Sequence, residues 1–293
     1  MQNTEYLELV ETSGDREKNY ARVVDRYYEL VTPMCRDVWS DSFHLAWFTE
    51  GQQLPEAQSA LQRWLADRGG FAAGDALLDV GCGIGGPAAA IAEYTGADVT
   101  GVNICGHQVR VARAMNRTGD VGRRLTFVEA DAMALPFAPA AFDGAFSIEA
   151  LCYTPDKDRA YAEVAKVLKG GGAFVGVDWF CADDLSDADY ERWVEPMCRA
   201  FAIPRLIPFG AVEGHLEAAG FEVESVSRYS DHGDIEPNWR LCAANSASAA
   251  GGNGSDTPTE SFETLLQASV PALRDACREG KVIMGCWVAH RRG

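Results

Sequence analysis

The chain has 293 residues, 47% of them hydrophobic, and a formal net charge of −17 from 26 Lys and Arg against 43 Asp and Glu. That length suffices for one α/β catalytic unit carrying a cap, and the acidity, with no Lys/Arg cluster to offset it, argues against nucleic acid as a partner. No apolar run reaches eighteen residues, Met1–Arg16 is polar and acidic, and the nine cysteines (Cys35, Cys82, Cys105, Cys152, Cys181, Cys198, Cys242, Cys277, Cys286) form no CxxC pair, so the expectations are a cytoplasmic protein, no stable membrane insertion, no export signal and no metal site.

Residues 1–70 read as a helical N-terminal lid segment. Between Tyr20 and Gly51 it is dense in rings: Tyr20, Tyr27, Tyr28, Trp39, Phe43, Trp47 and Phe48. Such density is more often packing than chemistry, but these rings could close over an apolar substrate, or be exchanged with a neighbour in a homo-oligomer.

From Gly74 to Trp179 short β-rich runs alternate with helical stretches, as βαβ units do when they build a parallel sheet. Strands are predicted at Ala76–Val80, Val99–Asn103, Leu125–Ala130, Phe142–Glu149 and Ala173–Trp179. A helix from about Asp158 to Leu168 should stop at Lys169-Gly170-Gly171-Gly172. Helices then follow at Asp183–Cys198 and Gly210–Ala219, a strand at Phe221–Arg228, a helix from about Glu260 to Arg278, and a last strand at Lys281–His290. The small, polar run from Ala243 to Ser255 reads as a mobile or variable loop. The expected fold is a doubly wound, Rossmann-like α/β domain over 71–293. Its sheet has seven mostly parallel strands with the last antiparallel, and cap insertions fall near 181–215 and 231–280.

Asp79-Val80-Gly81-Cys82-Gly83-Ile84-Gly85-Gly86 places glycines where a strand turns into a helix, so backbone and free helix amides can approach a ligand at the carboxyl ends of the strands. Gly81, Gly83 and Gly86 also satisfy the dinucleotide fingerprint, so the glycines alone are ambiguous. Three further features are ordered behind them. Asn103 ends the second strand where a side chain would meet ribose hydroxyls, although an acid is commoner there. Asp131, followed by Ala132, is placed to accept from an adenine amino group. Leu135-Pro136-Phe137 leads to Phe142-Asp143, resembling the link between adenine loop and fourth strand in class I methyltransferases. Together with Gln108, these residues point to S-adenosyl-L-methionine, with S-adenosyl-L-homocysteine as product, over a nicotinamide. Asp79 could equally be a strand-end cap, and Gln108 a helix-surface residue.

The chain more closely resembles the sterol 24-C-methyltransferases and their relatives that methylate terpenoid or prenyl double bonds. The likeness is carried by Tyr27–Thr32 with Trp39–His44, by Leu78–Pro87, by Val99–Asn103 and by Ser147–Asp156, and it covers about residues 20 to 230. Tyr153 stands where those enzymes commonly have His. The resemblance implies an S-adenosylmethionine-dependent C-methyltransferase that adds methyl to an alkene carbon of a terpenoid, sterol-like or prenylated natural product through a carbocation.

Such chemistry needs alignment, exclusion of water, a negative or π-rich wall for the cation and a base for one proton. Glu149 ends the fourth strand on the ligand rim and could fill either role, though it could instead bond the cofactor or cap a helix. Tyr28 and His44 are further base or positioning candidates that could equally be structural, Trp39 and Trp179 could offer π faces although a buried Trp is more often core, and Asp178 is a candidate to face the same cavity. An O- or N-methyltransferase of a small phenol or amine is the alternative. A prenyl diphosphate would call for Mg²⁺ and a basic clamp that the scattered Arg36, Arg199 and Arg205 do not visibly make. A non-catalytic binder of the cofactor is the reading from a different class.

Overall fold

The computed structural model describes residues 2–39, 41–241 and 270–293, and the side chains of 6–33, 41–241 and 270–293. Seven strands, β1 (Ala76–Val80), β2 (Asp98–Asn103), β3 (Leu125–Glu129), β4 (Phe142–Ile148), β5 (Leu168–Cys181), β6 (Phe221–Arg228) and β7 (Val282–Arg291), form one sheet in the order β3-β2-β1-β4-β5-β7-β6. β1 pairs in parallel with both β2 and β4, whereas β7 is antiparallel to β5 and to β6. The expected sheet, with its antiparallel last strand, is thus present. The central strands read as near-continuous apolar runs because helices cover both faces; in β4 Ala145 and Phe146 are fully buried. Chain order reverses between β1 and β4, which opens a crevice at their carboxyl ends.

Among the described residues, four helices precede the sheet: α1 (Gln2–Leu9), α2 (Ser13–Lys18), α3 (Tyr20–Trp39) and α4 (Leu54–Gly69). In α3 the buried Val23, Val24, Tyr27 and Val31 recur at helical spacing on one face. This helix runs beside α6 (Gly106–Met115), which follows β2. Arg16 pins the N-terminal helices to the insertion after β5. It is fully buried, with Nη2 donating to both Glu195 oxygens at 2.7 and 2.8 Å, Nε to Ile203 O at 2.7 Å and Nη1 to Val10 O at 2.8 Å. Only such full compensation makes a buried guanidinium tolerable.

Several boundaries differ from the sequence reading. β4 stops at Ile148, because Glu149 takes φ +48°, outside the β region. The expected helix at Asp158–Leu168 runs Lys157–Val167. β5 starts at Leu168, where Leu168 pairs with Phe142 across an irregularity that absorbs the glycine run and places Gly171 at φ +78°. In the first insertion the helical stretch is shifted to Asp187–Ala200 and carries a π turn at Tyr190–Val194, immediately ahead of Pro196. Pro196 has no N–H to donate to the turn before it. The helix expected at Gly210–Ala219 is a 3₁₀ turn, Phe209–Ala211, followed by Val212–Ala218. A helix over 270–278 matches the end of the one expected at Glu260–Arg278; its start and the loop from Ala243 to Ser255 lie outside the described residues.

Candidate active site

The crevice at the carboxyl ends of β1, β2 and β4 is roofed by α3 and by the segment Asp41–His44, and holds about 880 Å³ of empty space, counting solvent at its mouth. The roof is stitched in place. Gln58 of α4 donates to the carbonyls of Ser42 and His44, each at 2.8 Å, Asn238 exchanges hydrogen bonds with Ala46, and Phe48 forms a bridge with Asp234.

On the floor, Gly81, Gly83 and Gly85 all take positive φ (+88°, +53° and +88°), and they do different work. A Cβ on Gly81 would lie 2.1 Å from that of Ala150, and one on Gly86 2.0 Å from the Asp41 carbonyl oxygen, so these two positions let the walls meet. A Cβ on Gly83 would project into open space, which leaves bare backbone to cradle a ligand. Gly85 does not line the cavity; it packs against Phe127 and opens helix α5 (Gly86–Thr95). Asp79 lines the floor almost wholly buried, its Oδ2 without a partner, and burial pushes its carboxyl up to about 8. A buried orphan oxygen of this kind fits a ligand ammonium.

Asn103 and Gln108 both line the cavity and are coupled. Asn103 Nδ2 donates to Gln108 Oε1 at 2.8 Å, Asn103 Oδ1 accepts from Cys105 N at 3.0 Å, and Gln108 Nε2 donates to Thr32 Oγ1 of α3 at 3.1 Å. Gln108 is fully buried, not on the helix surface. Ala130 and Ala132 form the rim, but Asp131 between them does not line the cavity. Its Oδ1 accepts from Met133 N at 2.7 Å, and its charge lies near the Tyr20 hydroxyl, which lines the cavity.

Glu149 faces the cavity from the end of β4. Its Oε1 accepts from Leu45 N at 2.9 Å and from the Tyr229 hydroxyl at 3.5 Å. Burial pushes its carboxyl up to about 8, and Asp178 adds to the rise; the Leu45 amide, the Tyr229 hydroxyl and the nearby Trp179 indole favour its charge. Its left-handed φ is strain held by the surrounding structure. Asp178 lies behind the wall, with Oδ2 accepting from Cys152 N at 2.7 Å and Oδ1 from Trp179 N at 2.9 Å. Lys157 is buried beside it and donates to the carbonyls of Leu151, Cys152 and Thr154, fixing the turn after Glu149.

The other sequence candidates separate. Tyr28 lines the cavity and donates to the Tyr153 hydroxyl at 3.1 Å, with the two rings edge to face at 5.6 Å. His44 lines it too, but Nδ1 lies 2.8 Å from the Leu45 carbonyl and Nε2 3.0 Å from Gln62 Nε2. Nδ1 therefore carries the proton and Nε2 accepts, and burial brings the ring down to about 4, so it is neutral with both nitrogens engaged. Trp179 packs edge to face on Phe201 at 5.7 Å and does not line the cavity. The Trp39 side chain lies outside the described residues. Tyr229 and Leu45 were not singled out by sequence reasoning and reach the site through tertiary contacts; Thr32 and Tyr153 stood in the motifs that carry the resemblance, without an assigned role.

Residues 78–176 match a family model described as a methyltransferase domain. The sterol 24-C-methyltransferase of Pneumocystis carinii is 33% identical over 211 residues, which is 71% of this chain and 56% of that protein. The cycloartenol-C-24-methyltransferase of Arabidopsis thaliana is 38% identical over 175 residues, 60% of this chain and 52% of that one. The chain thus spans little more than half the length of these curated relatives. Among solved structures, the [4+2]-cyclase SpnF superposes with a TM-score of 0.78 at 25% identity, over 93% of this chain and 97% of that one. The chain resembles class I S-adenosylmethionine-dependent methyltransferases of the sterol 24-C-methyltransferase group, as its motifs imply. The open cradle at Gly83 and the orphan Asp79 oxygen fit S-adenosylmethionine, the cofactor that the motifs imply.

Proposed function

We propose that this chain, with its methyltransferase domain and sterol 24-C-methyltransferase likeness, methylates an alkene carbon of an apolar terpenoid, sterol-like or prenylated substrate. Fold alone does not choose the reaction, since a cyclase shares it, so the reading rests on the site. One observation carries it: Glu149 is a carboxylate facing an aromatic-lined cavity with only neutral donors bonded to it.

When bound, S-adenosylmethionine supplies an electrophilic sulfonium methyl group. The residues proposed to hold it are Asp79 at its amino group, the Gly81–Gly83 backbone, Asn103 positioned by Gln108, and the rim at Ala132 with Asp131 behind it. Gly85 shapes the turn from outside the cavity. Tyr28, Tyr153 and Phe43 present rings that align an apolar chain and exclude water, and a desolvated ring face beside a cation contributes about 2 kcal/mol. Glu149, once ionised, stabilises positive charge on the attacked alkene and accepts the proton whose loss restores a double bond. His44, neutral and fully engaged, holds the Asp41–Phe48 segment in place; Trp179 supports Glu149 from behind. Residues 1–70 serve as the lid over 71–293.

Cytoplasmic location is part of this proposal; among the described residues, no helix is long and apolar enough to cross a membrane. The test is transfer of labelled methyl from S-adenosylmethionine to sterols, prenylated indoles, prenyl diphosphates and phenols, comparing wild type with Glu149→Gln. Label on alkene carbon, lost in the variant while cofactor binding persists, is expected. Label on oxygen or nitrogen, or an unimpaired variant, overturns the reading.

A further inference from the structure

Two donors meet Glu149 at the same oxygen, with the Trp179 indole nearby. Oε1 accepts both the Leu45 amide at 2.9 Å and the Tyr229 hydroxyl at 3.5 Å, while Glu149 itself borders the cavity. Tyr229 sits 80 residues downstream, on the 3₁₀ turn Tyr229–Asp231 that follows β6, and is fully buried. Its ring is fixed edge to face against Trp47 at 5.0 Å, and Trp47 in turn stacks on His232 at 4.7 Å. The phenol therefore approaches the carboxylate from a packed aromatic group beyond the cavity wall.

We propose that Tyr229 is a positioning residue for Glu149: its hydroxyl, acting with the Leu45 amide, occupies Oε1 and turns Oε2 toward the substrate as the proton-accepting atom. This rests on the reading of Glu149 above. The phenol stays protonated, since burial and the facing carboxylate both disfavour its anion, so it acts as a donor throughout. It also adds to the Trp179 indole and the Leu45 amide, the larger two of the three interactions that favour the charged carboxylate in a site where burial and Asp178 oppose it. The other titratable groups around Glu149 are Cys152, on the turn after β4, and Lys157, whose charge serves Asp178 and the turn carbonyls. A carboxylate that loses a hydrogen-bond donor becomes harder to ionise, and its orientation is released.

The test is Tyr229→Phe, which keeps the ring against Trp47 and deletes only the hydroxyl. The full chain is labelled with ¹³C at the glutamate side-chain carboxyls, and the Glu149 resonance is assigned by its loss in Glu149→Gln. Its titration midpoint is expected to rise by about half a unit to one unit in Tyr229→Phe, with the remaining glutamates unmoved. An unchanged midpoint in a folded variant overturns the proposal whatever the substrate proves to be. Trp47→Leu, which removes the ring supporting Tyr229, should move the midpoint in the same direction. Where a substrate is turned over, kcat should fall about tenfold in Tyr229→Phe, its acid limb should move to higher pH, and KM for S-adenosylmethionine should hold. A Glu149→Gln enzyme of full activity would sink the catalytic reading of Glu149 without touching the titration result.

Discussion

Gln108 joins the roof of the cavity to its floor: its Nε2 donates to Thr32 Oγ1 of α3 at 3.1 Å while its Oε1 accepts from Asn103 Nδ2 at 2.8 Å. Both partners are buried, so neither bond is readily replaced by water. Thr32→Val should leave the Gln108 amide short of an acceptor and cost about 1–3 kcal/mol of stability. Because Asn103 is aligned through the same amide, affinity for S-adenosylmethionine should also fall severalfold. Denaturant midpoints and calorimetric titration measure the two effects. A stability loss with unchanged affinity would show that the helix is tied to Gln108 but that the tie does not reach the cofactor.

Neighbouring glycines should fail differently. Gly83→Ala adds a methyl group into open space at a left-handed φ, so the fold should lose about 1 kcal/mol while the cradle is filled and cofactor binding drops at least tenfold. Gly86→Ala places its methyl group 2.0 Å from the Asp41 carbonyl oxygen, which is backbone and must shift. Its first effect should be on the roof: thermal stability falls by several degrees, with faster proteolysis or hydrogen exchange around residues 41–48. Equal losses of folding in both variants would contradict this division.

Sequence patterning exposed the sheet because its signals are local. The apolar runs of β1, β4 and β5 and the glycine turn each lie within a dozen residues, and the Glu149 segment announced a site through its resemblance. What escaped was assembled at long range. Tyr229 meets Glu149 across 80 residues and Thr32 meets Gln108 across 76, with no spacing rule to connect them. Local rules also do not show which polar atoms are already bonded: of the two roles open to His44, base or positioning, its nitrogens engaged by Leu45 and Gln62 fit positioning, and Asp131 has one oxygen, Oδ1, receiving Met133 N.

The Tyr28–Tyr153 contact ties the α3 roof to the turn after Glu149 by one hydrogen bond and an edge-to-face ring pair. Tyr28→Phe retains the rings and removes the donor, so kcat/KM should fall about three- to tenfold with little change in stability. Tyr153→His restores the residue common in the sterol enzymes but shortens the side chain, enlarging the cavity at that wall. The substrate panel should then shift toward bulkier alkenes; an unchanged ranking would mean that Tyr153 does not contact the substrate.

Asp79 gives the cofactor site a pH dependence whose direction follows from its burial. Its carboxyl is raised from 3.8 to about 8, so at pH 7 the free protein holds it mostly protonated. A ligand ammonium requires the anion, and binding must therefore release a proton. Calorimetry of S-adenosylhomocysteine binding at pH 7, repeated in buffers of different ionisation enthalpy, should report close to one proton released, and affinity should climb with pH until about 8. Asp79→Asn should abolish the release and weaken binding by at least tenfold. The ligand-free protein should show the opposite trend in stability. Unfolded Asp79 ionises near 3.8 while folded Asp79 resists until about 8, so the stabilising difference is complete below pH 3.8 and is lost as pH rises toward 8. Glu149, raised from 4.5 to about 8 by its own burial, adds a slope of the same sign. Both Asp79→Asn and Glu149→Gln should consequently melt higher than wild type at pH 8 without ligand and lose that advantage near pH 4. A wild-type protein that gains stability between pH 5 and 8, with no proton released on binding, would show that these two carboxyls are already ionised in the empty site.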